Sequence, residues 1–479
     1  MKVALVYPRI KDRDLTPPLG LLYLASYAKE YGSTSEIKIF DNNFDNIEES
    51  VVKFNPDIIG ITAMTIDYME TIRLATFFKE KLDIPIIIGG IHISSVPESL
   101  AKPFDIGVVG EGEATFLEVL LLFEKKGKFE TNELQKIKGI AFHANGKVHV
   151  TEKRVMIDPL DMIPMIDRDL LHKEYFNKKI IPHIAKHGVE GTILTARGCP
   201  YNCVFCSTKA FWKIVRFHSA KRVYEEMRLM AEKYHVAHIT IWDDLFTAHI
   251  PRLKELSSML KQDDLTKNIT FSCQARTNQI NDSICQILKD LNVKQISFGF
   301  ESGSEKMLRY LKRETVSVEQ NRQAILKCKE YSFRVYGSLI FGSPTETIDD
   351  MKETIEFIRF AKKNGADALW AFIMTPFPET EMWEIAKQRG KVSEDMNWDL
   401  LSHQNVDNPL MLDQGIDKVQ FKETFLRARE ELNYFREKYI KDNLKNNFFD
   451  TIFDAAKHPN DTLKTIRGVL SKNKMPIQK

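Results

Sequence analysis

Residues 196–207 read Ala196-Arg197-Gly198-Cys199-Pro200-Tyr201-Asn202-Cys203-Val204-Phe205-Cys206-Ser207, directly after an apolar, strand-like stretch. Cysteines at C-x3-C-x2-C spacing can surround an iron–sulfur cube, for which thiolates are the required ligands. Three ligands for four irons leave one iron open to a substrate or cofactor. The other cysteines read differently. Cys273 alternates with Ile269, Phe271 and Ala275 on one strand face, while Cys285 and Cys328 fall on helical apolar stripes. These three are expected in the core.

Downstream of the cysteine loop the chain repeats a strand–helix unit. Strands are expected at Thr192 to Thr195, His238 to Trp242, Ile269 to Arg276, Gln295 to Glu301, Val335 to Gly342 and Ala368 to Met374. Helical patterns such as Ala220 to Tyr234 and Met351 to Lys363 follow them. Six such units suggest an open parallel barrel, with chemistry at the carboxyl ends of its strands. Strand parity points Ser272, Gln274 and Arg276 inward, with Ser297, Gly299 and Glu301 beside them. Arg276 and Glu301 become candidate ligands of a zwitterionic cofactor, or else an internal ion pair. Asp243 and Asp244 end the second strand, where carboxylates can accept from an ammonium group or cap the next helix.

Upstream, the first 125 residues alternate short apolar strands (Lys2 to Tyr7, Glu36 to Phe40, Asp57 to Thr62, Ile84 to Gly90, Ile106 to Gly110) with helices, the first over Leu19 to Tyr31. That pattern predicts a parallel sheet covered on both faces, with ligands beyond the carboxyl strand ends. Those ends carry Pro17-Pro18-Leu19-Gly20, Thr62-Ala63-Met64-Thr65, Gly89-Gly90-Ile91-His92 and Gly110-Glu111-Gly112-Glu113. Any one could be a tight turn; four on one edge suit a large flat ligand approaching bare backbone. A hairpin around Asn145-Gly146 closes this region. The divisions are then 1–150, a linker over 151–189, a barrel over 190–395 and a helical C-terminal region over 396–479.

Bulk properties set the class. The 479 residues are 43% hydrophobic and 28% charged with a formal charge of +2, so a nucleic-acid partner is not expected. No apolar run reaches the roughly 18 residues of a membrane span. Cysteines without an export signal suggest a reducing, cytoplasmic location. The C-terminal tail is basic, and Phe448, Phe449, Ile452 and Phe453 among its charges raise peripheral membrane contact as a minority reading beside a solvated helical cap.

Residues 190 to about 390 resemble the radical S-adenosylmethionine (SAM) superfamily through the cysteine loop, including Phe205. The resemblance implies a [4Fe–4S] cluster on Cys199, Cys203 and Cys206, with SAM on the fourth iron. It places Phe205 near the adenine and the Asp243-Asp244 strand end near the SAM amino group. Glu301 in Gly-Phe-Glu-Ser-Gly, and the turn from Gly342 through Pro344 to Thr347, resemble ribose and adenine contacts. Gln274 and Arg276 join this SAM-binding set.

The amino-terminal strand ends resemble the cobalamin (B12)-binding branch of that superfamily. Leu19, Gly20, Thr62, Met64, Thr65, Gly89, Gly90, His92, Gly110, Glu111 and Gly112 are the implied cobalamin contacts. The D-x-H-x-x-G motif that supplies an axial histidine elsewhere is absent. The implied fold is α/β: a Rossmann-like (flavodoxin-like) cobalamin-binding domain, a partial (β/α)6 TIM-type radical SAM barrel, and a helical C-terminal region. The implied activity is methylation of an unactivated carbon, using a 5′-deoxyadenosyl radical and methylcobalamin. Partners would be a small-molecule, lipid or peptide substrate and an electron donor such as flavodoxin or ferredoxin. Rival readings are a cobalamin-dependent cyclase or rearrangement enzyme, for example in tetrapyrrole ring formation, and a non-catalytic corrinoid sensor. A methylthiotransferase would need a second cluster, but no cysteine precedes Cys199.

Overall fold

The computed structural model describes residues 1–8, 16–177, 188–402, 409–412 and 415–446. Phe448, Phe449, Ile452 and Phe453 lie outside them. Five short apolar segments, β1 (Lys2–Tyr7), β2 (Glu36–Asp41), β3 (Ile58–Thr62), β4 (Ile86–Gly89) and β5 (Ile106–Val108), form a parallel sheet in the order 2-1-3-4-5. The hairpin β6 (Ile140–Ala144) and β7 (Lys147–Val150) extends it antiparallel, with Asn145 and Gly146 both at positive φ, as an I′ turn demands. Alternate side chains of each strand enter different cores. Val3, Leu5, Ile39, Ile58 and Ile87 pack beneath the helices Leu19–Glu30 and Gly112–Lys126. Ala4, Val6, Phe40, Ile59 and Ile88 face the opposite layer.

The second sheet is all parallel and built in sequence order: β8 (Val189–Ile193), then β11 (Val236–Ile241), β12 (Thr270–Ala275), β13 (Val293–Glu301), β14 (Arg334–Phe341) and β15 (Ala368–Ile373). Between its first two strands, β9 (Ala196–Arg197) and β10 (Arg216–Phe217) pair antiparallel. Phe271, Cys273, Ala275, Ile296, Phe298 and Phe300 pack outward against helices, so the parity of the sequence is realised. On the inner face His238 Nδ1 and Nε2 each lie 2.9 Å from a hydroxyl, Thr270 Oγ1 and Ser272 Oγ, tying β11 to β12. Cys273, Cys285 and Cys328 are buried in the outer core.

Two parts differ from the sequence expectation. Residues 151–170 are bolted down rather than loose: Leu160, Ile163 and Ile166 fill the first domain's core, and Arg168 pairs with the buried Glu226 at 2.7 Å. The described part of the C-terminal region packs on the rest of the protein rather than forming a solvated cap. Trp383, Trp398, Leu401 and Leu412 cover one face of the first sheet. The helix Lys418–Asn446 lays Phe421, Phe425, Ala428 and Phe435 into the barrel core beside Ile348–Lys363 and β15. The spacing of those residues is one helical stripe, and the charges that made the segment look solvated occupy the rest of the surface. Phe425 meets Phe341 edge to face at 5.4 Å. Replacing Phe425 with Ala should destabilise the protein by about 3–5 kcal/mol, read as a lowered midpoint of chemical denaturation.

Candidate active site

The cysteine loop, residues 198–215, is stapled at its base by the β9–β10 ladder, in which Arg197 stands opposite Arg216. Gly198 takes φ +95, and a Cβ there would meet the Ile214 carbonyl oxygen at 2.7 Å, so only glycine allows the chain to turn into the loop. The backbone of Val204 donates to Leu311 O at 3.1 Å and accepts from Glu381 N at 3.2 Å, which anchors the loop's far side to the barrel. Cys199, Cys203 and Cys206 are all half-buried. Burial pushes the Cys199 and Cys206 thiols up, and the neighbouring cysteines add to it. Among the described residues no three ligating side chains converge on one point as a single metal ion requires. A cube that takes one thiolate on each of three irons fits this donor set instead.

Asp243 and Asp244 part company. Asp243 is 0% exposed and accepts from Thr195 N at 2.6 Å, Ala196 N at 3.0 Å and the Thr195 hydroxyl, with Arg252 at 3.7 Å. Burial raises its carboxyl despite that arginine. Its oxygens lock the strand that leads into the cysteine loop. Asp244 sits at the mouth, accepting from Gly198 N and Thr208 Oγ1 at 3.2 Å each.

Arg276 and Glu301 do not pair. Arg276 is buried with Nη1 3.3 Å from Cys203 Sγ, its guanidinium 3.8 Å from the Tyr201 ring centroid, and Nη2 on Thr315 Oγ1 and Lys312 O. Its Nε is buried and has no hydrogen-bond partner among the described residues. Glu301 ends β13 at a bulge with φ +61 and pairs with Lys312 Nζ at 2.8 Å. A Cβ on Gly299 would stand 2.0 Å from Glu301 Oε1, so glycine at 299 is what lets the carboxylate fold back. Lys312, unforeseen from the sequence, also lies 5.8 Å from the Phe205 ring centroid. Gln274 is half-buried on the inner face, in register with Ser297. Next to β14, Gly342 (φ +84) and Ser343 donate backbone N–H groups to Glu346, and Pro344 is buried. The Ser343 hydroxyl is buried and has no hydrogen-bond partner among the described residues. Orphaned donors at Arg276 and Ser343, beside a glycine-made berth for a carboxylate, fit a polar adenosyl amino acid.

At the first sheet, Leu19 and Gly20, residues 62–65, Gly89 and Gly90, and Gly110 share one carboxyl edge because β1, β3, β4 and β5 run parallel. Among the described residues a Cβ at Gly20 or Gly110 would meet nothing within 4 Å, so bare backbone is presented there. Met64 is exposed, while Thr62 and Gly89 are half-buried and Thr65 is buried. Gly90 (φ +100) instead seals against Ala63, and Gly112 packs on Leu24. The open glycines suit a broad, flat ligand such as a corrin.

Two of the expected contact residues, Glu111 and His92, have their side chains engaged within the protein. Glu111 is buried, with Arg197 at 2.6 Å, Arg216 at 3.0 Å and the backbone N–H of Ile157 at 2.7 Å on its carboxylate. Glu113 takes the other Arg197 nitrogen at 2.6 Å. Burial alone would raise Glu111, yet Arg216 and Arg197 hold it below the usual carboxylate range. These carboxylates grip the cysteine loop's base. His92 is fully buried, stacked on Tyr68 at 3.8 Å and edge-on to Trp398 at 4.6 Å, with Nε2 3.1 Å from Ser99 Oγ. It is a packing residue. Arg197 stood in the first stretch of sequence considered, but nothing local distinguishes a solvated arginine from one that meets two carboxylates of another domain.

Fold and site together define an enzyme with two cofactor clefts, one for an iron–sulfur cluster and one for a flat ligand on an α/β sheet. The family model described as the Radical SAM superfamily matches residues 193–358, and the B12 binding domain model matches residues 10–120. A Pyrococcus horikoshii protein named as an uncharacterized methyltransferase is 33% identical over 414 residues, covering 83% of this chain and 85% of the relative. The anaerobic magnesium-protoporphyrin IX monomethyl ester cyclase of Rubrivivax gelatinosus is 26% identical, covering 96% and 84%. The structure of the radical S-adenosylmethionine methyltransferase TsrM from Kitasatospora setae, with cobalamin and a [4Fe–4S] cluster bound, shares the fold at TM-score 0.69 and 18% identity, covering 88% and 85%. The chain belongs to the cobalamin-binding branch of the radical SAM superfamily. Its cofactors are a [4Fe–4S] cluster, SAM and cobalamin. Among the described residues no helix is long and apolar enough to cross a membrane.

Burial pushes His92 down to about 3 and His218 down to about 4, Arg222 adding to the latter. In the unfolded chain both titrate near 6.5. Between that pH and the folded values the unfolded state binds the extra protons, so stability falls as pH drops through this window. Substituting Phe for His92 should therefore flatten the dependence of Tm on pH between about 6.5 and 3, leaving the part due to His218. An unchanged slope in thermal melts would contradict the assignment.

Proposed function

We propose that this chain is a cobalamin-dependent methyltransferase acting on an unactivated carbon of a small-molecule substrate. Cys199, Cys203 and Cys206 hold the cluster, and Glu301, Arg276 and the 342–347 turn receive SAM. The observation that carries the reading is the direct attachment of the cysteine loop's base to the loop after β5, which sets two cofactor clefts against each other. The methyltransferase relative, matched over most of both chains, supports it. When bound, the cluster and SAM supply one-electron hydrogen abstraction and cobalamin carries the methyl group.

The protein's own part is to orient and enclose. Arg276, whose Nη1 lies 3.3 Å from Cys203 Sγ, would stand beside a cluster held on that cysteine. Lys312 pairs with Glu301 and aims its carboxylate through a contact buried from solvent. Asp243 fixes the strand entering the loop, so that the thiolates meet their irons without a search. Electrons come from an external donor of the flavodoxin or ferredoxin type.

Reconstituted without oxygen with iron, sulfide and hydroxocobalamin, and supplied with SAM labelled in its methyl group, the enzyme should place label in product. Cys203→Ala should abolish both that and cube-type absorption. Gly299→Ala should displace the Glu301 carboxylate and weaken SAM binding at least tenfold by calorimetry, the effect of losing a hydrogen bond to a charge at about 1.5–3 kcal/mol. Cyclisation is the second reading, favoured by the near full-length match to the Rubrivivax enzyme. It requires product without transferred label.

A further inference from the structure

The loop after β5 has two faces. At Gly110 the space of a side chain is open among the described residues while its N–H donates to Ser94 Oγ at 2.9 Å, whereas the carboxylates of Glu111 and Glu113 reach the β9–β10 ladder at the base of the cysteine loop. Arg197 receives both carboxylates and stands one residue from Gly198, two from Cys199. Arg216 shares Glu111 and closes the other strand of the staple. All four side chains are at most 7% exposed, so water offers no substitute partners. The aromatic faces of Tyr23 and Trp212 hold the Arg197 guanidinium at 5.0 and 5.4 Å. A group seated on the Gly110 backbone is thus joined to the first cysteine by one buried ion pair and a short piece of extended chain.

We propose that Arg197, gripped by Glu111 and Glu113, is a positioning residue that couples cobalamin binding to cluster occupancy. A cluster on Cys199 orders the strand at Arg197, and Arg197 orders the carboxylates and with them the Gly110 turn. A corrin arriving there finds that ordering already done. Linkage is reciprocal, so cobalamin favours the assembled cluster by the same factor. This rests on the family's cofactors but needs no turnover. Loss of methyl transfer leaves it standing, and loss of coupling leaves the methyltransferase reading standing.

The test measures the dissociation constant of hydroxocobalamin by tryptophan fluorescence, with the full chain cluster-free and cluster-loaded, iron content being checked in parallel. In the unaltered protein, cluster loading should tighten binding by about tenfold, within the usual range for coupled sites. Glu113→Gln removes one charge from the grip and should bring the ratio to within about twofold while iron content stays normal. Glu113→Asp, which keeps the charge, should restore part of it. Should Glu113→Gln fold poorly, Arg197→Lys, which cannot span both carboxylates, is judged by the same ratio. A ratio near one in the unaltered protein, or an undiminished ratio in a folded variant, overturns the proposal.

Discussion

Two arginines and two carboxylates, sealed from water between the sheets, set the arrangement of everything else. Burying four charges is expensive, and removing one member of such a set typically costs about 3–5 kcal/mol because its partner is left uncompensated. Arg197 binds Glu111 and Glu113 through separate nitrogens, and Arg216 meets both oxygens of Glu111. The fork of each guanidinium therefore fixes direction as well as distance. The base of the cysteine loop is held in one orientation against the first sheet, and the loop's far side is held by the backbone of Val204.

Within the barrel a similar economy applies to Glu301. A residue with a side chain at φ +61 is strained, and that conformation persists only where its surroundings enforce it. Here the bulge between β13 and β14, the absent side chain at Gly299 and the ammonium of Lys312 do so together. Asp243 shows the same logic without strain: two backbone amides and a hydroxyl converge on it from the neighbouring strand. Strand ends in this protein divide between carboxylates that hold the frame and donors left open toward the cleft.

That division marks the limit of what the sequence discloses. Strand periodicity, helix stripes, the Asn145-Gly146 turn and the cysteine spacing are local properties, and all reappear in the structure with shifts of a few residues. The inward parity of Ser272 follows from the period of the pleat alone. Asp243, Glu111 and His92 are engaged within the protein, and in sequence a polar residue at a strand end looks the same whether it faces a cofactor or its own chain. The partners that decide the matter lie 48 residues away for Asp243 and 86 for Glu111. His92 is claimed by Trp398, from a segment whose own pattern suggested an exposed cap. Arg197 and Lys312 were missed for the same reason.

The apolar core on one side of the first sheet continues without a break into Val204, Leu311, Met374, Trp383 and Trp398 of the later chain. Cutting the polypeptide near residue 189 would leave each fragment with a raw hydrophobic wound, so the halves are expected to clump when expressed singly and to dissolve only when co-produced. For whoever grafts a foreign barrel onto this amino-terminal half, the indole and thioether contacts of Met374, Met382, Trp383 and Trp398 must travel with it as part of the seam.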